Sequence, residues 1–194
     1  MPVPALNLPT ALTWARIALI PVFVVLFYLP ESWLSAPVRA FWVVAVFILA
    51  AVTDWLDGWL ARKLQQTSAF GAFLDPVADK LMVATALIML VETGRVAALV
   101  AVVIIGREIT ISALREWMAK EGRSASVAVA TIGKLKTTAQ MIALPILLYG
   151  LPVFGLDLQP LGTVLIYLAM VLTLWSMCYY LYQAMRASGH DARA

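Results

Sequence analysis

Charge is what this sequence has least of. Only 13% of its 194 residues are Asp, Glu, Lys or Arg, while 63% are hydrophobic, against about 25% and about 45–50% in an ordinary soluble domain. That balance excludes a water-soluble globule. Cysteine is nearly absent too: Cys178 stands alone in an apolar run, so one chain can build neither a disulfide framework nor a cysteine-based metal site, and Cys178 reads as a small packing residue. A large basic excess is also missing. The 14 Lys and Arg exceed the 11 Asp and Glu by only three and are scattered along the chain, which argues against a nucleic-acid partner. The first fifteen residues carry no Lys or Arg, so the apolar stretch at 17–29 lacks the basic leader of a signal peptide and reads as a retained span. There is no internal repeat, low-complexity tract or linker.

What is present is a succession of apolar runs. Hydropathy places six spans near residues 12–29, 38–60, 75–91, 96–118, 127–149 and 161–187, each close to the roughly 20 residues a membrane helix needs. The expectation is one all-α polytopic membrane domain over residues 1–194, with six transmembrane helices, a short interfacial segment at 1–10 and a cytoplasmic tail from about 188. Six spans put both termini on one side. On that side fall Arg62, Lys63, Lys80, Arg115, Lys120, Arg123, Lys134, Lys136, Arg186 and Arg193, and on the other only Arg39 and Arg95. The positive-inside rule makes the first side cytoplasmic. Aromatics frame both ends as interfacial anchors: Tyr28, Trp33, Trp42 and Tyr149 outside, and Trp14, Trp59, Trp117, Tyr179, Tyr180 and Tyr182 inside.

The departures from apolarity carry the chemistry, since an ionisable group at membrane depth costs about 2.5–3.5 kcal/mol and marks a functional site by default. Asp54 and Asp57 lie three apart at the inner end of span 2, and Asp75 and Asp79 lie four apart at the start of span 3. Each pair shares a helical face. Any one of these acids suits a helix terminus, but four converging in a low-dielectric bundle repel one another unless cations neutralise them. Oxygen ligands without His or Cys favour Mg²⁺, Mn²⁺ or Ca²⁺, one or two ions, over zinc. Gly58 and Gly71, one turn from the acids, leave room for a ligand against the backbone, and Arg62 adds a phosphate-binding fork. Such a constellation suits a metal-bound phosphoanhydride.

Written out, the segment is Asp54-x2-Asp57-Gly58-x2-Ala61-Arg62-x8-Gly71-x3-Asp75-x3-Asp79, and it resembles the signature of the CDP-alcohol phosphotransferase family at every fixed position. Eight residues at about 5% frequency each match by chance with probability on the order of 10⁻¹¹. The stretches 51–58, 70–80, 107–118 and 126–141, with Asn7-x2-Thr10-x5-Arg16 before them, are similar to the bacterial branch of that family that takes sn-glycerol 3-phosphate as acceptor. The likeness runs from Asn7 to about Tyr182. It implies displacement of CMP from CDP-diacylglycerol by the acceptor hydroxyl, in the bacterial inner membrane with the site on the cytoplasmic side, by a homodimer using two divalent cations, Mg²⁺ or Mn²⁺. By resemblance Asp54, Asp57, Asp75 and Asp79 hold the metals, Asp79 is the general base, and Gly58, Ala61, Arg62 and Gly71 line the CDP-diacylglycerol site.

The acceptor's own phosphate calls for a second, basic subsite. Arg107 and Arg115, eight apart and thus within about 80° on a helix, and Lys134 are the candidates, with Asn7, Thr10, Arg16 and Lys136 as weaker ones. The bland alternatives are that Arg107 pairs with Glu108 of a neighbour, Arg115 with Glu116, and that Lys136 snorkels to the interface. Two other functions stay open on the residues alone. One is a sibling enzyme with inositol phosphate, serine or phosphatidylglycerol as acceptor. The other is a divalent-cation transporter, which would need none of Arg62, Arg107 and Lys134.

Overall fold

The computed structural model describes residues 8–64, 69–120 and 130–191. They form six helices: α1 (Leu8–Tyr28), α2 (Ala36–Leu64), α3 (Ala69–Glu92), α4 (Ala98–Lys120), α5 (Ala130–Tyr149) and α6 (Gln159–Asp191). Each coincides, to within a few residues, with one of the apolar runs read from sequence. Three of them, α1, α2 and α6, are long and apolar enough to cross a membrane by length and composition. The expected start of span 3 needs correcting, because α3 begins at Ala69, so Asp75 and Asp79 sit in its second and third turns rather than at its N-terminus. Pro76 explains the error. A proline inside a helix removes one i to i−4 hydrogen bond and usually marks a boundary, yet here it is carried within the helix.

The chain is apolar on both sides of its wall. The interior is built from Phe23, Phe47, Leu87, Leu90, Ile104 and Leu144, all essentially inaccessible. The outside is equally apolar, with Val25, Ile88, Leu99, Val102, Val164 and Trp175 each more than half exposed. A soluble domain would not present such a continuous surface, whereas lipid solvates it without cost.

Packing pairs α1 with α2 and α5 with α6 most extensively, and α4 lies against α6 while α3 touches α1, α4 and α5. Gly162 sets the α5–α6 distance: a Cβ there would stand 2.9 Å from both Ile146 and Leu147, so only glycine permits this approach. The α5–α6 connection closes through a two-residue turn at Phe154 and Gly155, both with positive φ (52° and 81°), and Val153 and Leu156 exchange backbone hydrogen bonds across it. Positive φ at both central residues is the geometry of a tight hairpin turn.

Cys178, expected to pack inside, is exposed. The buried stripe of α6 runs through Thr173, Ser176 and Tyr180, at i, i+3 and i+7, and Cys178 falls between those positions on the outer face. Tyr180 moves the other way. It is buried against Ile111 rather than standing as an interfacial anchor.

Candidate active site

Helix α1 ties the two acidic helices together. Arg16, 1% exposed, donates from Nη1 to Oδ1 of Asp54 on α2 at 2.6 Å. One turn earlier on α1, the Thr13 hydroxyl donates to Oδ1 of Asp75 on α3. Residues 13 and 16 lie three apart and so share a face, which points each toward a different acid. Arg16 and Asp79 line one small cavity with Ala50, Ala51 and Met82, and Asp79 is within electrostatic reach of Asp54, Arg16, Glu108 and Lys80.

A fully buried guanidinium needs a counter-charge, and Asp54 supplies it. The converse does not hold, since one arginine cannot cancel Asp54, Asp75 and Asp79 together. The surplus is negative and its donors are all oxygens, which is the donor chemistry of a hard divalent cation. Among the described residues no three His, Cys, Asp or Glu side chains gather closely enough to hold an ion by themselves. Asp57, Gly58, Ala61 and Arg62 continue α2 past Asp54, but their side chains lie outside the described residues, as do those of Thr10, Arg115 and Lys134; Asn7 lies outside them altogether. Gly71 is buried in the first turn of α3.

A second polar cluster forms where α4, α5 and α6 meet. Glu108 Oε1 accepts from Arg107 Nη1 at 3.3 Å and from Lys136 Nζ. Arg107 Nη2 donates to Ser176 Oγ at 3.1 Å, and that hydroxyl donates to the Thr173 carbonyl at 2.9 Å. Two cations thus share a single carboxylate, leaving a net positive charge among side chains that are nearly all buried. Arg107 Nε has no hydrogen-bond partner among the described residues, nor has Gln140 Oε1.

One of the alternatives read from sequence is overturned here and another is corrected. Lys136 does not snorkel, being 3% exposed and ion-paired to Glu108, because its α5 face packs inward. Arg107 does pair with a Glu108, as the bland reading has it, and only the place of that partner is corrected, since it is the Glu108 of its own helix. The clusters adjoin across α3, with Glu108 within electrostatic reach of Lys80 as well as of Asp79.

Sequence reasoning passed over Thr13, Glu108 as a shared acceptor, and Ser176. The signal was available: each is a polar side chain inside an apolar run, spaced three or four residues from another. Arg16 was ranked low because helical spacing does not align it with Asn7 and Thr10, and its partner sits across the bundle instead.

A partly buried acidic cluster on two helices beside a buried cationic one suits a membrane enzyme that handles phosphate esters. The profile of the CDP-alcohol phosphatidyltransferase family matches residues 6–175, and the chain belongs to that family. Among its relatives are three proteins named CDP-diacylglycerol–glycerol-3-phosphate 3-phosphatidyltransferase. That of Sodalis glossinidius is 53% identical over 181 residues, covering 92% of this chain and 95% of the relative. That of Pectobacterium atrosepticum is 52% identical over 187 residues (95% and 96%), and that of Shigella flexneri serotype 5b is 51% identical over 177 residues (90% and 93%).

Proposed function

We propose that the chain transfers the phosphatidyl group of CDP-diacylglycerol to the primary hydroxyl of sn-glycerol 3-phosphate, giving phosphatidylglycerol phosphate and CMP. The names of relatives at 51–53% identity support the reaction. The observation that carries it to this chain is the pairing of an acidic cluster with an adjoining buried cluster of net positive charge. A serine acceptor needs no such surplus and a phosphorylated one does; between inositol phosphate and glycerol 3-phosphate, the names of the relatives favour the latter.

Asp79 takes the proton of the attacking hydroxyl as the new oxygen–phosphorus bond forms and the bond to CMP breaks in line, with no covalent intermediate. Arg16 and Thr13 hold Asp54 and Asp75 in register, so that the acids do not swing apart under mutual repulsion. Asp54, Asp57, Asp75 and Asp79 would hold divalent cations, Mg²⁺ or Mn²⁺ and two per site, which when bound neutralise charge on the transferring phosphoryl group and on the departing CMP. Gly58, Ala61, Arg62 and Gly71 line the CDP-diacylglycerol site. Arg107, Arg115, Lys134 and Lys136 form the acceptor phosphate site, Glu108 fixing two of them, with Asn7 and Thr10 as further candidates for it.

In this reading residues 1–194 are one domain whose six helices all span the bacterial inner membrane. The acidic end and both termini face the cytoplasm, the first ten residues lie at the interface, and the enzyme is a homodimer. Thin-layer identification of the product formed from CDP-diacylglycerol tests the reaction: glycerol 3-phosphate should be consumed, and efficient turnover of serine or inositol phosphate would refute the acceptor assignment. For orientation, on a background in which Cys178 is replaced by serine, Lys63→Cys should be shielded from an impermeant thiol reagent in intact cells and Ser35→Cys should label. Labelling of Lys63→Cys from outside would reverse the topology.

A further inference from the structure

The end of the bundle remote from the aspartates holds a second charged feature that the transfer reaction leaves unused. Where α1, α3 and α5 end and α2 begins, a cavity of about 270 Å³ is walled by Phe27, Val43, Thr93 and Tyr149 and by two arginines, Arg39 and Arg95. Both guanidiniums are fixed by main-chain carbonyls. Arg39 Nη1 donates to the Leu29 carbonyl at 2.6 Å, and Arg95 Nη1 donates to those of Leu147 and Leu148 at 2.8 and 2.9 Å. Arg95 is further locked by lying in the space that a Cβ on Gly150 would fill. The Gly150 carbonyl in turn accepts from Gln159 Nε2 at 2.9 Å.

A carbonyl is a dipole, not a counter-ion, so these contacts orient the two cations without cancelling them. Among the described residues no acid lines the cavity. Glu31, largely exposed, pairs loosely with Arg39 at 3.8 Å, Glu92 accepts from the Tyr28 hydroxyl, and Asp157 accepts from the Gln159 backbone N–H at 2.9 Å. Arg95 is partly desolvated and also repelled by Arg39, and both effects hold its pKa below the usual arginine value. An anion set between the guanidiniums relieves that repulsion and accepts from both forks. Phe27 and Tyr149 line the cavity, and Trp33 and Trp42, from the α1–α2 connection and the first turns of α2, are at least half exposed, which is the signature of headgroup depth. The apolar walls suit a glycerol backbone rather than a bare ion.

We propose that this cavity binds the phosphodiester of an anionic phospholipid from the leaflet opposite the aspartates, held between Arg39 and Arg95. The inference rests on reading the helices as membrane spans, which flotation of the protein with vesicles tests separately.

The experiment counts lipids bound to the full-length, delipidated protein by native mass spectrometry, with phosphatidylglycerol, phosphatidylethanolamine and inorganic phosphate as probes. Arg39→Gln should retain phosphatidylglycerol roughly tenfold less tightly than the wild type, the loss of one charge-assisted contact, while KM and kcat for both transferase substrates stay within about twofold. Arg39→Lys, which keeps the charge, should recover most of the binding. Glu31→Gln removes the acid loosely paired with Arg39 and should tighten binding, a gain that misfolding cannot imitate. Asp54→Asn should leave this lipid in place. Equal retention of phosphatidylglycerol by the wild type, Arg39→Gln and Glu31→Gln, in a protein that floats and turns over, would overturn the site while leaving the transferase reading intact. Equal affinity for phosphatidylethanolamine, or full displacement by millimolar inorganic phosphate, would overturn the anionic lipid as occupant.

Discussion

The two ends of the bundle both use arginine, and they use it differently. At the acidic end Arg16 and Arg107 are buried against side-chain carboxylates, Asp54 and Glu108. At the far end Arg39 and Arg95 hold main-chain carbonyls at helix ends. A guanidinium paired with a carboxylate is part of a charge ledger that a ligand can rewrite, because an incoming phosphate or metal competes for one of the partners. A guanidinium capping a helix is a fastener, and its bonds survive whatever binds nearby. The acidic end is therefore poised for exchange and the opposite end for rigidity, although the fastener keeps its full charge.

The comparison breaks most visibly at Asp79. Asp79→Asn should lower kcat by about 10²–10⁴-fold, the usual contribution of a positioned base, while CDP-diacylglycerol binding, followed by equilibrium titration, is largely kept; retention of a tenth of wild-type kcat would remove Asp79 as base. Asp54→Asn should lose nucleotide binding as well, since it removes both an acid of the cluster and the carboxylate that accepts from the buried Arg16.

Smaller effects separate the two clusters. Arg107→Ala or Lys136→Ala removes a charge-assisted contact worth about 1.5–3 kcal/mol, which is roughly a tenfold to hundredfold rise in KM for glycerol 3-phosphate with little change in KM for CDP-diacylglycerol. Arg62→Ala should show the reverse. Equal shifts in both constants for all three variants would merge the two subsites into one.

The smallest effect belongs to the rigid end. Gly150→Ala places a Cβ at positive φ and against the Arg95 guanidinium, and the backbone conformation alone costs about 1–2 kcal/mol. Thermal unfolding in detergent should register a lower Tm with kcat unchanged, and a loss of kcat instead would mean that the far end is not merely structural.

Helix number and order were legible because apolar runs of about twenty residues have few other readings. The acids were legible for the same reason inverted: Asp54, Asp75 and Asp79 are conspicuous against so little charge. What escaped was side-chain partnership across helices. Hydropathy shows that Arg16 is in a span but not that Asp54 faces it, and Lys136 near a helix end has the same composition whether it snorkels outward or turns inward to Glu108. The start of α3 escaped because Pro76 inside a helix reads locally as a boundary. Cys178 escaped because the packed face of α6 at this level is the one that carries Thr173 and Ser176, the reverse of the apolar-inside pattern of a soluble helix.

The three helices that qualify as spans on their own, α1, α2 and α6, contribute Arg16, Asp54 and Ser176, whereas α3 and α4 carry the charges that the proposed chemistry uses. This division bears on biogenesis. On the proposed reading of six spans, α4 leaves the insertion machinery before Lys136 of α5 and Ser176 of α6 are available to its Glu108 and Arg107, and α5 emerges ahead of the strongly apolar α6, to which it is tied by a connection that turns at Phe154–Gly155. A helical hairpin entering as one unit lets α6 carry α5 into the bilayer, with Gly162 as the notch that lets the two seat against each other. Lengthening that turn would then be expected to show itself first as failed insertion of α5, in a protein whose active-site residues are all still present.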